Sequence, residues 1–103
     1  IHVMDIAEGH LSALNFSMRN KPQILNFNLG TGRGYSVLEL IKTFEKVNNV
    51  KIPYEFFPRR EGDNAYVVAD NSLALSVLKW NPKRSLEDMC KDGWKWHNRN
   101  FNI

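Results

Sequence analysis

The side chains best suited to chemistry lie together at Arg59-Arg60-Glu61-Gly62-Asp63. A guanidinium presents a planar fork of donors that matches phosphate oxygens, and an aspartate can accept both hydroxyls of a ribose. Gly62 lets the chain turn tightly enough to aim Arg60 and Asp63 at one ligand. The same five residues also read as a solvated loop in which Arg59 or Arg60 pairs with Glu61. An exposed pair of that kind contributes only about 0–1 kcal/mol. Residue types alone leave both readings open.

A second cluster, Gly30, Gly32 and Gly34, stands between an extended run and a helical one. Phosphates are often cradled at such a junction. The spacing is G-x-G-x-G, however, where a dinucleotide loop needs G-x-G-x-x-G, and Val47 to Lys51 carry no acidic residue to hold a ribose. The cluster therefore reads as a turn in which one or more glycines take positive φ. Other chemistries fail on spacing. His2, His10 and His97 form no metal-ligand pattern with Cys90 or a carboxylate, and no serine, histidine and acid grouping supports nucleophilic catalysis. Tyr35, Tyr54 and Tyr66 are followed four residues later by Glu39, Pro58 and Asp70, so a Tyr-x-x-x-Lys pair is absent. Cys90, Trp80, Trp94 and Trp96 read as core, although the three indoles could also stack on a base, and His10 reads as structural or exposed.

The elements that must position these residues follow from periodicity and caps. A first helix is expected from Asp5, capped by its own carboxylate with Glu8, striped by Ala7, Leu11 and Leu14, and ending near Asn15 to Ser17. Ile24 to Leu29 alternates like a strand, with Leu25, Phe27 and Leu29 on one face. Ser36 with Glu39 predicts a capping box for a second helix, striped by Val37, Leu40, Ile41, Phe44 and Val47. Ile52 to Phe57 reads as a short strand stopped by Pro58, Tyr66 to Ala69 as an extended segment, and Asp70 to Leu78 as a helix. Leu86, Met89, Cys90 and Trp94 stripe a last helix, with a frayed tail over residues 98–103. The fold class is mixed α/β with few short strands and an incomplete doubly wound sheet.

A length of 103 residues suits one modest domain. The net charge of +3, from 14 basic and 11 acidic residues, suits a phosphate-bearing small molecule and calls for no nucleic acid. One cysteine permits no internal disulfide. No apolar run approaches the roughly 20 residues of a membrane helix. A cytoplasmic setting is expected. The start at Ile1 in a patterned segment suggests a cut or processed piece.

Several phrases together resemble one family. Ile1-His2-Val3-Met4-Asp5 with Gly9-His10, Asn28-Leu29-Gly30-Thr31-Gly32 with Gly34-Tyr35-Ser36-Val37, Pro58-Arg59-Arg60-Glu61-Gly62-Asp63, and Leu86-Glu87-Asp88-Met89-Cys90 with Trp94-Lys95-Trp96 look like the UDP-galactose 4-epimerases, extended short-chain dehydrogenases. The resemblance runs from residue 1 to 97 and implies the carboxyl-terminal, nucleotide-sugar-binding part of such an enzyme. It implies that Arg60 contacts a diphosphate and Asp63 the ribose hydroxyls, with Glu61 and Gly62 shaping the loop. It also implies that Val67, four residues past Asp63, lines the sugar pocket, where a small residue goes with admitting N-acetylated sugars. The family interconverts UDP-glucose and UDP-galactose through a tightly held NAD. The NAD loop and the Tyr-x-x-x-Lys pair lie upstream in that family, so this chain is expected to be inert alone. The full-length parent is expected to be a homodimer, and a folded fragment with uncovered apolar stripes is open to self-association. The alternatives are an independent nucleotide- or phosphate-binding module, a sister nucleotide-sugar epimerase or dehydratase, and a plain interaction domain.

Overall fold

The computed structural model describes residues 1–101, in the order α1 (Val3–Arg19), α2 (Val37–Asn48), α3 (Ser72–Val77) and α4 (Leu86–Phe101). The chain divides into two compact units. The first joins Ile1–Arg33 to Val68–Ser85, and the second joins Gly34–Val67 to the chain from Leu86 onward.

In the first unit α1 begins two residues before the expected start. His2, extended at φ −69° and ψ 137°, caps it through Nδ1, which accepts the Met4 N–H at 3.0 Å. Asp5 is no cap. It is fully buried, and its Oδ1 accepts Arg84 Nη1 at 2.6 Å while its Oδ2 accepts the Arg84 backbone N–H at 3.0 Å. Arg84 Nη2 also donates to Glu8 Oε1 at 3.0 Å, so the intended partner of the cap is drawn into the same network.

The buried face of α1 differs from the expected stripe. Asp5 and Gly9 are buried and Ala13 and Phe16 pack on the core, whereas Ala7, Leu11 and Leu14 are exposed. Small size decides the choice. A Cβ on Gly9 would stand 2.8 Å from Leu29 Cδ1 and 3.3 Å from the Trp80 indole nitrogen, so a side chain here would force the Leu29 methyl groups to move, and glycine lets both neighbours approach as they stand. The Trp80 Nε1–H then donates to the Asp5 carbonyl at 2.9 Å. Ala74, Leu78 and Trp80 form the core, with Phe27, Leu29 and Val77 against it, and Phe16 meets Phe27 edge to face at 6.4 Å.

The second unit is built on α2 packed against α4. The capping box forms as expected: Ser36 Oγ accepts the Glu39 N–H at 3.1 Å, and Glu39 Oε2 accepts the Ser36 N–H at 2.7 Å. Phe44 meets Trp94 edge to face at 5.6 Å, and Asn48 Nδ2 donates to the Cys90 carbonyl at 3.2 Å. Leu86 and Cys90 are buried as predicted. Burial, and then the Glu87 charge, pushes the Cys90 thiol above its ordinary pKa. Val37, placed in the α2 stripe, is instead 73% exposed. The segment from Asn98 stays helical through Phe101, and the last two residues of the expected tail lie outside those described.

Among the described residues no strand forms, which corrects the expected short strands at 24–29 and 52–57. Both segments are present as irregular chain. Alternation in sequence reports which faces are apolar, but a strand exists only with a hydrogen-bonded neighbour, and these segments find none here.

Candidate functional site

The loop at 59–63 lies wholly in the second unit and brings its guanidinium and carboxylate together. Arg60 Nε donates to Asp63 Oδ2 at 2.9 Å, and the Asp63 N–H returns to the Arg60 carbonyl at 3.3 Å, closing a tight turn. Gly62 makes that turn possible at φ +83°, a region other residues avoid. Arg59 Nη2 reaches the Asp63 carbonyl at 3.4 Å. The partner of Arg60 is therefore Asp63 and not Glu61, the residue that a solvated-loop reading pairs with it.

Arg60 and Asp63 side chains are 85% and 44% exposed, so water screens the pair and its worth to folding is small. What the contact does is set geometry. One edge of the guanidinium rests on the carboxylate, and among the described residues its Nη atoms have no hydrogen-bond partner, which leaves their four N–H donors for an anion. Val67 stands four residues on in the same unit, 77% exposed.

Sequence reasoning passed over the aromatic residues that flank the loop. Phe56, Phe57 and Tyr66 are each about four-fifths exposed, and Tyr54 meets Phe56 edge to face at 5.7 Å. Ile52 to Phe57 reads only as a short strand, and Tyr66 only as part of an extended segment, with no role given to their rings. The signal available was the run of aromatic residues directly before an arginine pair.

The glycine cluster does not build a phosphate cradle. The Gly30 carbonyl accepts Asn71 Nδ2 at 2.8 Å, and Gly32 takes φ +73°, as a turn requires. The Glu39 carboxylate already occupies the start of α2, where an anion would sit. Trp80 is buried in the core and Trp94, half-buried, packs on Phe44, whereas Trp96 departs from the core reading and is 61% exposed. His10 is exposed, with Nδ1 at 2.8 Å from the Ile6 carbonyl. Among the described residues no group of three or more histidine, cysteine or acidic side chains could hold a metal, and no helix is long and apolar enough to cross a membrane.

No family model matches the chain. A UDP-glucose 4-epimerase of Bacillus subtilis is 50% identical over 102 residues, which are 99% of this chain and 30% of the enzyme. A UDP-glucose 4-epimerase of Stenotrophomonas maltophila, solved with NAD and formylated UDP-arabinopyranose bound, superposes with a TM-score of 0.90 at 48% identity, over 96% of this chain and 29% of that one. The enzyme of Bifidobacterium longum, solved with NAD+ and UDP, gives 0.88 at 42% identity over 99% and 30%. An α/β fold for those longer chains fits the alternation of helices and extended segments seen here. In sequence and in fold, this chain is similar from end to end to one segment of the UDP-glucose 4-epimerases, and it spans about three-tenths of their length.

Proposed function

We propose that this chain supplies part of the nucleotide-sugar site of an NAD-dependent UDP-glucose 4-epimerase. Arg60 binds the diphosphate and Asp63 the ribose hydroxyls, while Glu61 and Gly62 shape the loop that holds both. The observation that carries the reading is the 2.9 Å contact that draws Arg60 and Asp63 together across a glycine turn. A nucleoside diphosphate presents anionic oxygens beside a diol, and this pair offers a donor fork beside an acceptor carboxylate. The exchangeable Arg60–Asp63 contact keeps both groups aligned until ligand oxygens take its place.

In the complete enzyme NAD supplies the hydride chemistry at sugar C4, which takes the hydride from one face of the sugar and returns it to the other. That cofactor and the catalytic base belong to other parts of the protein, because this sequence carries neither a Tyr-x-x-x-Lys pair nor a G-x-G-x-x-G loop. The chain binds and orients the substrate and does not catalyse alone. The complete enzyme works as a cytoplasmic homodimer. Val67 leaves room beside the sugar C2 substituent, so the enzyme also accepts UDP-N-acetyl sugars.

The test is a chimera of the Bacillus subtilis relative in which this chain replaces the matching segment. Arg60→Ala in that chimera removes a charge-assisted hydrogen bond of about 1.5–3 kcal/mol and weakens UDP binding roughly 10- to 150-fold by calorimetry. Unchanged affinity refutes the assignment of Arg60.

A further inference from the structure

Three cations gather where α2 ends. Lys42, Lys46 and Lys51, with Glu45, Asn49 and Val50, line a surface depression of about 360 Å³ that lies wholly in the second unit. All three lysines are exposed, and among the described residues no hydrogen bond or ion pair holds their ammonium groups. Lys42 and Lys46 stand four residues apart on one helical face, where like charges repel. Glu45 is the only acidic residue lining the depression, so three ammonium groups face one carboxylate.

The helix dipole explains only one of these lysines. A cation in the last turn offsets the negative end of a helix, and Lys46 is placed to do so. Lys42 lies in the middle of α2 and Lys51 beyond its end, so neither serves the dipole. Lys51 is instead brought in by the backbone. Asn49 ends the helix in the left-handed conformation, at φ 51° and ψ 47°, and its N–H donates to the Glu45 carbonyl. The Val50 N–H donates to the same carbonyl at 3.3 Å, and Glu45 Oε1 accepts the Ile52 N–H at 2.9 Å. Lys51 thus sits between two tethered residues, and one oxygen of the only nearby carboxylate is already occupied.

We infer that this depression is an anion site that takes a di- or triphosphate group. Ammonium groups act as point charges for phosphate oxygens, and the Asn49 side chain adds a neutral amide donor. A small anion fits better than a nucleic acid because the positive charge is confined to this spot. Over the rest of the second unit acidic residues outnumber basic ones, whereas a polymer follows an extended basic stripe. None of the lining residues belongs to the 59–63 loop, and the inference stands or falls apart from the role given to Arg60.

The test is a two-dimensional amide NMR titration of the chain with inorganic tripolyphosphate and, in parallel, with ATP at low salt. The expected result is saturable movement of the signals of 46–52 at about millimolar ligand, weakening as salt is raised to about 0.2 M. Both ligands move these signals, and the tighter one names the source, a free polyphosphate or the tail of a nucleotide. Lys42→Gln and Lys51→Gln each weaken binding about two- to fivefold, and combining them with Lys46→Gln abolishes it. Glutamine matches lysine in helix propensity, so these exposed changes leave the fold intact. Replacing all three lysines by arginine keeps the binding, and Arg60→Gln leaves the movement at 46–52 unchanged. No movement there with either ligand, movement that the triple glutamine variant retains, or its loss on Arg60→Gln alone would each overturn the inference.

Discussion

Replacing Asp5 by asparagine tests how the first unit is held together. The change keeps the shape of a fully buried side chain and removes its charge. Asp5 accepts two hydrogen bonds from Arg84, at 2.6 Å from Nη1 and 3.0 Å from the backbone nitrogen. An amide can accept only one of them, and its NH2 then faces a donor. A lost charged hydrogen bond costs about 1.5–3 kcal/mol and an orphaned buried donor about 1–3. Arg84 keeps Glu8 and is 30% exposed, so solvent recovers part of this and the net loss is about 2–4 kcal/mol. For a chain of this size that corresponds to a melting point lower by about 10–25 °C, measured by circular dichroism. The pH dependence has a definite sign. Burial alone would push the Asp5 carboxyl up, but hydrogen bonds from the Arg84 and Lys83 backbone and the Arg84 side chain outweigh it and hold the group below its ordinary 3.8. The unfolded chain therefore takes up this proton first as pH falls. The contribution is complete above 3.8 and is lost as pH drops through the lower folded-state value, so native chain and variant converge in strong acid. A variant that melts within about 1 °C of the native chain at neutral pH refutes the reasoning, since a buried ion pair cannot lose a partner without cost.

Two further substitutions probe other parts of the account. Ser36→Ala removes one side of the capping box and destabilises the chain by about 0.5–2 kcal/mol in urea melts, with Ser36→Gly milder. In the chimeric epimerase, Val67→Tyr fills the space beside the sugar and abolishes turnover of UDP-N-acetylglucosamine while sparing UDP-glucose; equal turnover of both sugars by the variant argues against a pocket role for Val67.

Local rules carried well where the physics was local. Ser36 and Glu39 satisfy each other within one turn, so the box was legible from two residues at the right spacing. The Arg60–Asp63 convergence was legible for the same reason, because Gly62 closes the loop within its own few residues. Asp5 failed as a cap because its partner, Arg84, lies far along the chain, and no pattern around Asp5 reveals a charge arriving from there. The buried face of α1 was misread on similar grounds. The row of Ala7, Leu11 and Leu14 carries large apolar side chains at helical spacing and so read as the core face, whereas the buried row begins with the charged Asp5. The contact instead chose the row with Gly9, where Leu29 and the Trp80 ring can approach. The strands at 24–29 and 52–57 were read from alternation, which records apolar faces but cannot supply the neighbour that a ladder needs.

The account turns on whether Arg60 and Asp63 meet the nucleotide together. A crystal structure of the chimera with UDP addresses this most directly. The expected result places the Arg60 guanidinium within hydrogen-bond distance of the diphosphate oxygens and the Asp63 carboxylate on the ribose hydroxyls, with their mutual contact exchanged for the ligand. A UDP held by other residues, with the 59–63 turn still closed on itself in solvent, would contradict it.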